Sequence, residues 1–174
     1  MLNNKLSQIN QEDFNFLLKN GKRSSILLNF DFESLIYLKW GLLKETLPDL
    51  FAKNDFEKLF FLMLKDRGVN LFLNDIQKIE VNKAMSFILW IIDELKKINE
   101  LETTYLKSDP DSKLLQAGIH KLDQFGLMNT LDNLARGCPW DYDKVRELRY
   151  SVVFDKQYME IIKSEIEKKL TKIK

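Results

Sequence analysis

Between Gly68 and Pro110 the chain carries neither glycine nor proline, and this stretch restricts the fold more than any other. Within it Val81, Ala84, Met85, Ile88, Ile91, Ile92, Leu95, Ile98, Leu101 and Tyr105 recur every third or fourth residue. That is the spacing of one face of an α-helix. Leu89 and Trp90 make its middle apolar almost all round, so a helix opened by Asn74 or Asp75 and reaching Tyr105 should be the central, most buried element. The rest of the chain must then supply elements to cover it. With 29 Leu against 6 Gly and 3 Pro in 174 residues, it has too few turn-formers for a sandwich or barrel.

The expected fold class is therefore all-α: an irregular bundle of roughly six to eight helices around a long central helix, residues 75–105, with no substantial sheet. A chain of this length suits one domain, 1–174, within which residues 1–70 can form an N-terminal subdomain and 71–174 the helical core and C-terminal part. It buries roughly 70% of its unfolded surface, so no metal or disulfide is needed to hold a core.

The other helix signals are local. Phe14, Leu17 and Leu18 give a short amphipathic turn over Gln11–Lys19, ended by Asn20-Gly21. Ser25–Phe30 can be extended but is too short to build a sheet. Asp31 is placed to cap a helix through Glu45 with Leu35, Leu38, Leu42 and Glu45 on one stripe, and Pro48 interrupts it. Asn54 or Asp55 caps a helix bearing Phe56, Leu59, Phe60, Met63 and Leu64, which Gly68 ends. Asp109-Pro110 starts a helix through Leu114, Leu115, Ile119 and Leu122 to Gly126. A short helix with Leu127, Leu131 and Leu134 stops at Gly137. A turn from Asp141 or Tyr142 carries Val145 and Leu148, and a final helix starts near Ser151, with Phe154, Tyr158, Ile161, Ile162, Glu165, Ile166 and Leu170 spaced for one packed stripe.

Catalytic equipment is sparse. The chain has one histidine, His120, and one cysteine, Cys138, neither set in a nucleophile motif. Two such residues cannot supply four zinc ligands, and the acidic pairs Asp109, Asp111 and Asp141, Asp143 lack the spacing of a calcium loop and read as helix caps. Gly21-Lys22-Arg23-Ser24 resembles the end of a P-loop, but position 16, where the first glycine belongs, is Phe. No enzyme activity, cofactor or metal is expected.

The 27 basic and 26 acidic residues nearly cancel, at a net charge of +1, which argues against a protein held mainly to phosphates. The last helix is the local exception: Lys156, Lys163, Lys168, Lys169, Lys172 and Lys174 stand against three glutamates. Its interleaved signs favour a solvated helix end, with nucleic-acid binding as the alternative. A single cysteine fits a reducing or redox-indifferent compartment. The N-terminal residues have no apolar signal region, and the longest apolar runs, Leu59–Leu64 and Phe87–Ile92, are too short to span a membrane. The less ordinary feature is the aromatic segment Trp140, Tyr142, Tyr150 and Phe154. Residues of this kind either anchor an interface or fold the last helix back onto the bundle.

Two stretches carry a resemblance. One runs from Phe87 through Asp93-Glu94-Leu95 to Tyr105-Leu106. The other joins Ala117-Gly118-Ile119, Leu134-Ala135-Arg136-Gly137, Trp140-Asp141, Val145, Leu148, Tyr150 and Val153-Phe154. From Met85 onward the chain resembles small helical virion and tail-assembly proteins of tailed bacteriophages, the tail-assembly chaperone-like sequences among them. The resemblance implies a non-enzymatic protein that binds other phage structural proteins during tail or head–tail assembly, in the virion or the host cytoplasm, with self-association into a homo-oligomer open to it. Trp140, Tyr142, Val145, Leu148, Tyr150 and Phe154 are then the residues expected to form or support the partner contact. The rival reading is a small regulatory nucleic-acid-binding protein using the Lys-rich last helix.

Overall fold

The computed structural model describes residues 2–70, 72–107 and 112–173. Among them the fold is all-α with one two-stranded hairpin: α1 (Leu2–Leu6), α2 (Gln11–Asn20), β1 (Ile26–Leu27), β2 (Phe30–Asp31), α3 (Leu47–Ala52), α4 (Phe56–Asp66), α5 (Leu73–Ile76), α6 (Val81–Tyr105), α7 (Ser112–Gln116), α8 (Leu127–Leu134), α9 (Tyr142–Glu147) and α10 (Tyr150–Ile173). Short 3-10 turns lie at Leu35–Tyr37, Ile119–Phe125 and Pro139–Asp141, and a π-turn at Leu42–Thr46. These ten α-helices outnumber the six to eight that periodicity suggests, because five of them are six residues or shorter.

Helix α6 is the axis of the core. Ala84, Met85, Phe87–Ile91, Glu94 and Ile98 are buried along it. Phe87 stacks on Trp90 at 5.2 Å and meets the rings of Phe32 at 5.1 Å and Phe60 at 5.4 Å. Aromatic pairs at such separations add about 1 kcal/mol each beyond area burial. One continuous cluster joins Leu2 and Leu6 of α1 through Leu59–Leu64 and α6 to Leu131, Val145 and Val153, so residues 1–70 and 71–174 share a core.

α6 starts at Val81, later than residue 75. The Asp75 carboxylate accepts the Phe72 N–H at 3.0 Å and caps the start of the short α5 instead, and a turn then buries both Ile76 and Ile79.

The helix expected over 31–45 does not form. Asp31 ends β2, paired with Ile26 across a tight turn in which Leu28 and Asn29 both have positive φ. Glu33 is at φ 54°, and the Ser34 hydroxyl accepts from the Ile36 N–H at 3.4 Å to cap the 3-10 turn. Phe32, Leu35, Leu38, Trp40, Leu43 and Leu47 are all buried, and their spacing does not fit a single helical stripe. Glu94 of α6 resolves the break: buried itself, it accepts the Ser34 hydroxyl at 2.6 Å and the Leu35 N–H at 3.3 Å.

Pro48 does not interrupt the chain either. The preceding π-turn, with Leu47 N–H bonded to the Leu42 carbonyl, widens the helix where the proline ring would clash with a regular turn. Asp55 caps α4 by accepting the Lys58 N–H at 3.2 Å.

The Asp109-Pro110 start and Asp111 lie outside the described residues, as does the Phe14 side chain. The short α7 leads into Gly118 at φ 86°, which only glycine adopts cheaply. A 3-10 segment stands there in place of a continuous helix to Gly126, and neither α7 nor that segment holds a buried residue.

Candidate partner-binding surface

Residues 148–150 run antiparallel to 38–40. Trp40 donates its N–H to the Leu148 carbonyl at 2.7 Å, and Tyr150 donates to the Leu38 carbonyl at 2.9 Å, around a bridge between Lys39 and Arg149. Ion pairs fasten the same junction: Arg146 binds Glu45 through two nitrogens at 2.7 and 3.2 Å and also Asp143 at 3.0 Å, and Lys39 binds Glu147 at 2.5 Å. Gly41 lies against α9 so closely that a Cβ would stand 2.8 Å from the Arg146 Cβ.

This anchoring separates the six residues expected at the contact. Tyr150 is 1% exposed. Its hydroxyl donates to Glu102 of α6 at 2.7 Å, and Lys44, itself paired with Glu102 at 2.5 Å, stands over its ring. Burial first, and then the bond to Glu102, push its phenol far above the ordinary value. Val145 is buried. Phe154 is half-buried beside Tyr105, Tyr150 and Tyr158. Tyr142 is half-buried and donates to Asp132 of α8 at 2.7 Å, which raises its pKa. These four do the folding work of the segment. Trp140, 78% exposed, and Leu148, 42% exposed, are the two that face solvent.

Trp140 is held in the Pro139–Asp141 turn. That turn is fixed by the Asp141 N–H bonded to the Cys138 carbonyl at 2.9 Å and by Lys144 bonded to Asp141 at 2.6 Å. Asp141 and Asp143 thus form ion pairs rather than cap α9 through their side chains.

Further apolar surface lies elsewhere in the C-terminal half. Leu114, Leu115, Leu122, Phe125, Leu127 and Met128 are exposed. On α10, Gln157, Glu160, Ile161, Ser164 and Lys168 line a groove shared with Leu134 of α8. At 100° per residue, Met159, Ile162, Ile166 and Leu170 lie on the opposite side, and all are exposed. The spacing predicts one packed stripe along α10. The structure buries Val153, half-buries Phe154 and Ile161, and leaves Ile162, Ile166 and Leu170 exposed. Lys163, Lys168 and Lys169 are exposed along this same helix.

The residues weighed for chemistry are apart from this. His120 is exposed in the 3-10 segment, and Cys138 bonds weakly to the Arg136 carbonyl at 3.8 Å. Gly21 is fixed by packing, since a Cβ there would meet Leu89 at 2.5 Å, while Arg23 pairs with Asp93 at 2.9 Å. Among the described residues no group of three His, Cys, Asp or Glu is placed to hold a metal ion, and no helix is long and apolar enough to cross a membrane.

Compared with known proteins, the chain matches no family model, no curated protein and no solved structure.

Two buried acids, Glu94 and Asp66, were missed in sequence reading. Glu94 carries a signal, standing two residues after the apolar run Phe87–Ile92 of the longest helix. Asp66 carries another, ending a helix where the dipole favours a cation.

Proposed function

We propose that the chain acts without catalysis, as a structural or assembly protein of a tailed phage that works through protein–protein contacts. The observation that carries this reading is Trp140: a large apolar side chain left in solvent on a turn that hydrogen bonds and ion pairs hold in place. A tryptophan has only two side-chain torsions to order on docking and buries a large area, the usual character of an interface anchor. Leu148, close in sequence and also exposed, extends the apolar contact. Val145, Tyr150 and Phe154 support it from inside, and Tyr142 ties its helix to α8. The open apolar side of α10 and the exposed leucines of 114–127 add surface that a complete, separate core leaves over.

The test is Trp140→Ala combined with Leu148→Ser in the phage that encodes the chain. The variant should fold with an unchanged circular dichroism spectrum and lower the yield of assembled particles. An unchanged yield contradicts the site. The lysines exposed along α10 favour the rival, nucleic-acid reading. That reading requires retention of DNA or RNA at low salt that falls steeply as salt rises, and no retention even at low salt dismisses it.

A further inference from the structure

Along its outer side α10 presents an apolar stripe with the repeat of a helix-pairing seam. Val152, Met159 and Ile166 recur every seven residues, and Ile162 and Leu170 fill in beside them. That average of 3.5 residues keeps one seam turned towards a partner helix. All five side chains are exposed, from 38% at Ile162 to 59% at Leu170. They face away from the groove shared with α8, over about 28 Å of helix.

The order of residues along the stripe indicates what covers it. Its apolar positions are nearly palindromic about Ile162: Met159 stands three residues before and Ile166 four after, Val152 ten before and Leu170 eight after. The charges beside them follow the same palindrome with the sign reversed. Asp155 stands seven residues before Ile162 and Lys169 seven after, Glu160 two before and Lys163 one after, Lys156 six before and Glu167 five after. At 100° per residue Lys156, Glu160, Lys163 and Glu167 share one flank of the stripe, and Asp155 and Lys169 lie towards the other.

A two-fold axis across an antiparallel helix pair sets each flank beside the same flank of the second copy. Met159 then meets Ile166, Val152 meets Leu170, and every one of these charges meets its opposite. A parallel pair would set each charge against its own copy. The charges are available for this: Asp155, Lys163, Glu167 and Lys169 are exposed with no ion pair among the described residues, and Lys156 and Glu160 approach each other only to 4.0 Å. A partner of one charge sign, or an anionic membrane surface, would match half of them and be repelled by the rest.

We propose that α10 pairs antiparallel with α10 of a second copy of the chain, with Ile162 on the two-fold axis. The pairing does not rest on the assembly role, and its test leaves that role untouched.

Sedimentation equilibrium of the full chain from about 1 to 300 μM should show a monomer–dimer equilibrium with a Kd of about 10 μM. Ile162→Glu brings two carboxylates together on the axis and should weaken dimerisation at least about 100-fold. Asp155→Lys sets lysines together at both ends of the seam and should weaken it about tenfold. Adding Lys169→Asp to that variant should restore the original affinity. No contact within one helix produces this rescue, because the two positions lie about 21 Å apart. Circular dichroism checks each fold, and where Ile162→Glu unfolds the charge pair decides. The Trp140→Ala, Leu148→Ser variant should dimerise as the unaltered chain does. The proposal is overturned by a chain still monomeric at about 300 μM, by a dimer that folded Ile162→Glu leaves intact or that Trp140→Ala, Leu148→Ser removes, or by a charge reversal that shows no rescue. A monomer that instead cosediments with phosphatidylserine vesicles overturns it in favour of a membrane surface.

Discussion

Tyr150 joins three parts of the molecule at one point: its ring lies in the core, its hydroxyl bonds Glu102 of α6, and Lys44 of the π-turn sits over its face. Tyr150→Phe should cost about 2 kcal/mol for the lost hydrogen bond to the Glu102 carboxylate, whereas Tyr150→Ala should cost about 3–5 kcal/mol. Trp140→Ala should stay within about 0.5 kcal/mol of the unaltered chain. Urea midpoints distinguish the three. The phenol adds an alkaline prediction. It stays protonated in the folded chain well above its ordinary 10.0, while the unfolded chain ionises there. The unfolded state thus binds fewer protons, and stability falls as pH rises past that value. Unfolding followed against pH should show a shallower fall in Tyr150→Phe. In acid the sign reverses. Burial alone would raise Glu94, but Lys97, Ser34 and the Leu35 N–H outweigh it and hold the carboxyl below its ordinary 4.5. Its stabilising contribution is present above that value and is lost as pH falls through the folded pKa. Glu94→Gln should flatten this acid limb; an identical limb would remove Glu94 from the explanation.

The helices differ in how firmly they are held. Amides of Phe87–Ile91 in α6 should exchange only through global unfolding, and those of α7 and the adjoining 3-10 segment far faster, because no residue there is buried. Equal protection in the two would contradict the packing described. The junction of the π-turn with α9 depends on Gly41. Gly41→Ala pushes a Cβ to 2.8 Å from Arg146 and should destabilise by about 1–3 kcal/mol, read from the thermal midpoint. Much of this level was legible in the sequence. The 3.6-residue period located α2, α4, α6, α8 and the start of α10, and Asp55 and Gly68 bounded α4 as their chemistry suggests. Residues 31–45 were not legible. Their geometry is set by a buried carboxylate some sixty residues away and by pairing with residues 148–150, neither of which leaves a local periodic trace.

The all-α architecture followed from composition, since a chain this poor in glycine and proline cannot make the turns of a large sheet. The candidate surface was legible only as a group. An aromatic segment near a helix start reads the same whether a ring is anchored inside or left outside, and only tertiary packing placed Tyr150 in the core and Trp140 in solvent. Likewise, the apolar stripe of α10 has the spacing of a packed helix throughout, yet the fold supplies covering elements only for its first turns. What remains exposed is the basis for proposing that the chain works by contact with other proteins of a phage particle. The most direct measurement is complementation: disrupt the coding sequence in the phage to which the proposal assigns it, then count infectious particles with the unaltered chain or the Trp140→Ala, Leu148→Ser variant supplied in trans. Disruption should abolish particles, the unaltered chain should restore them, and the folded variant should not. Normal particle numbers after disruption would contradict an assembly role.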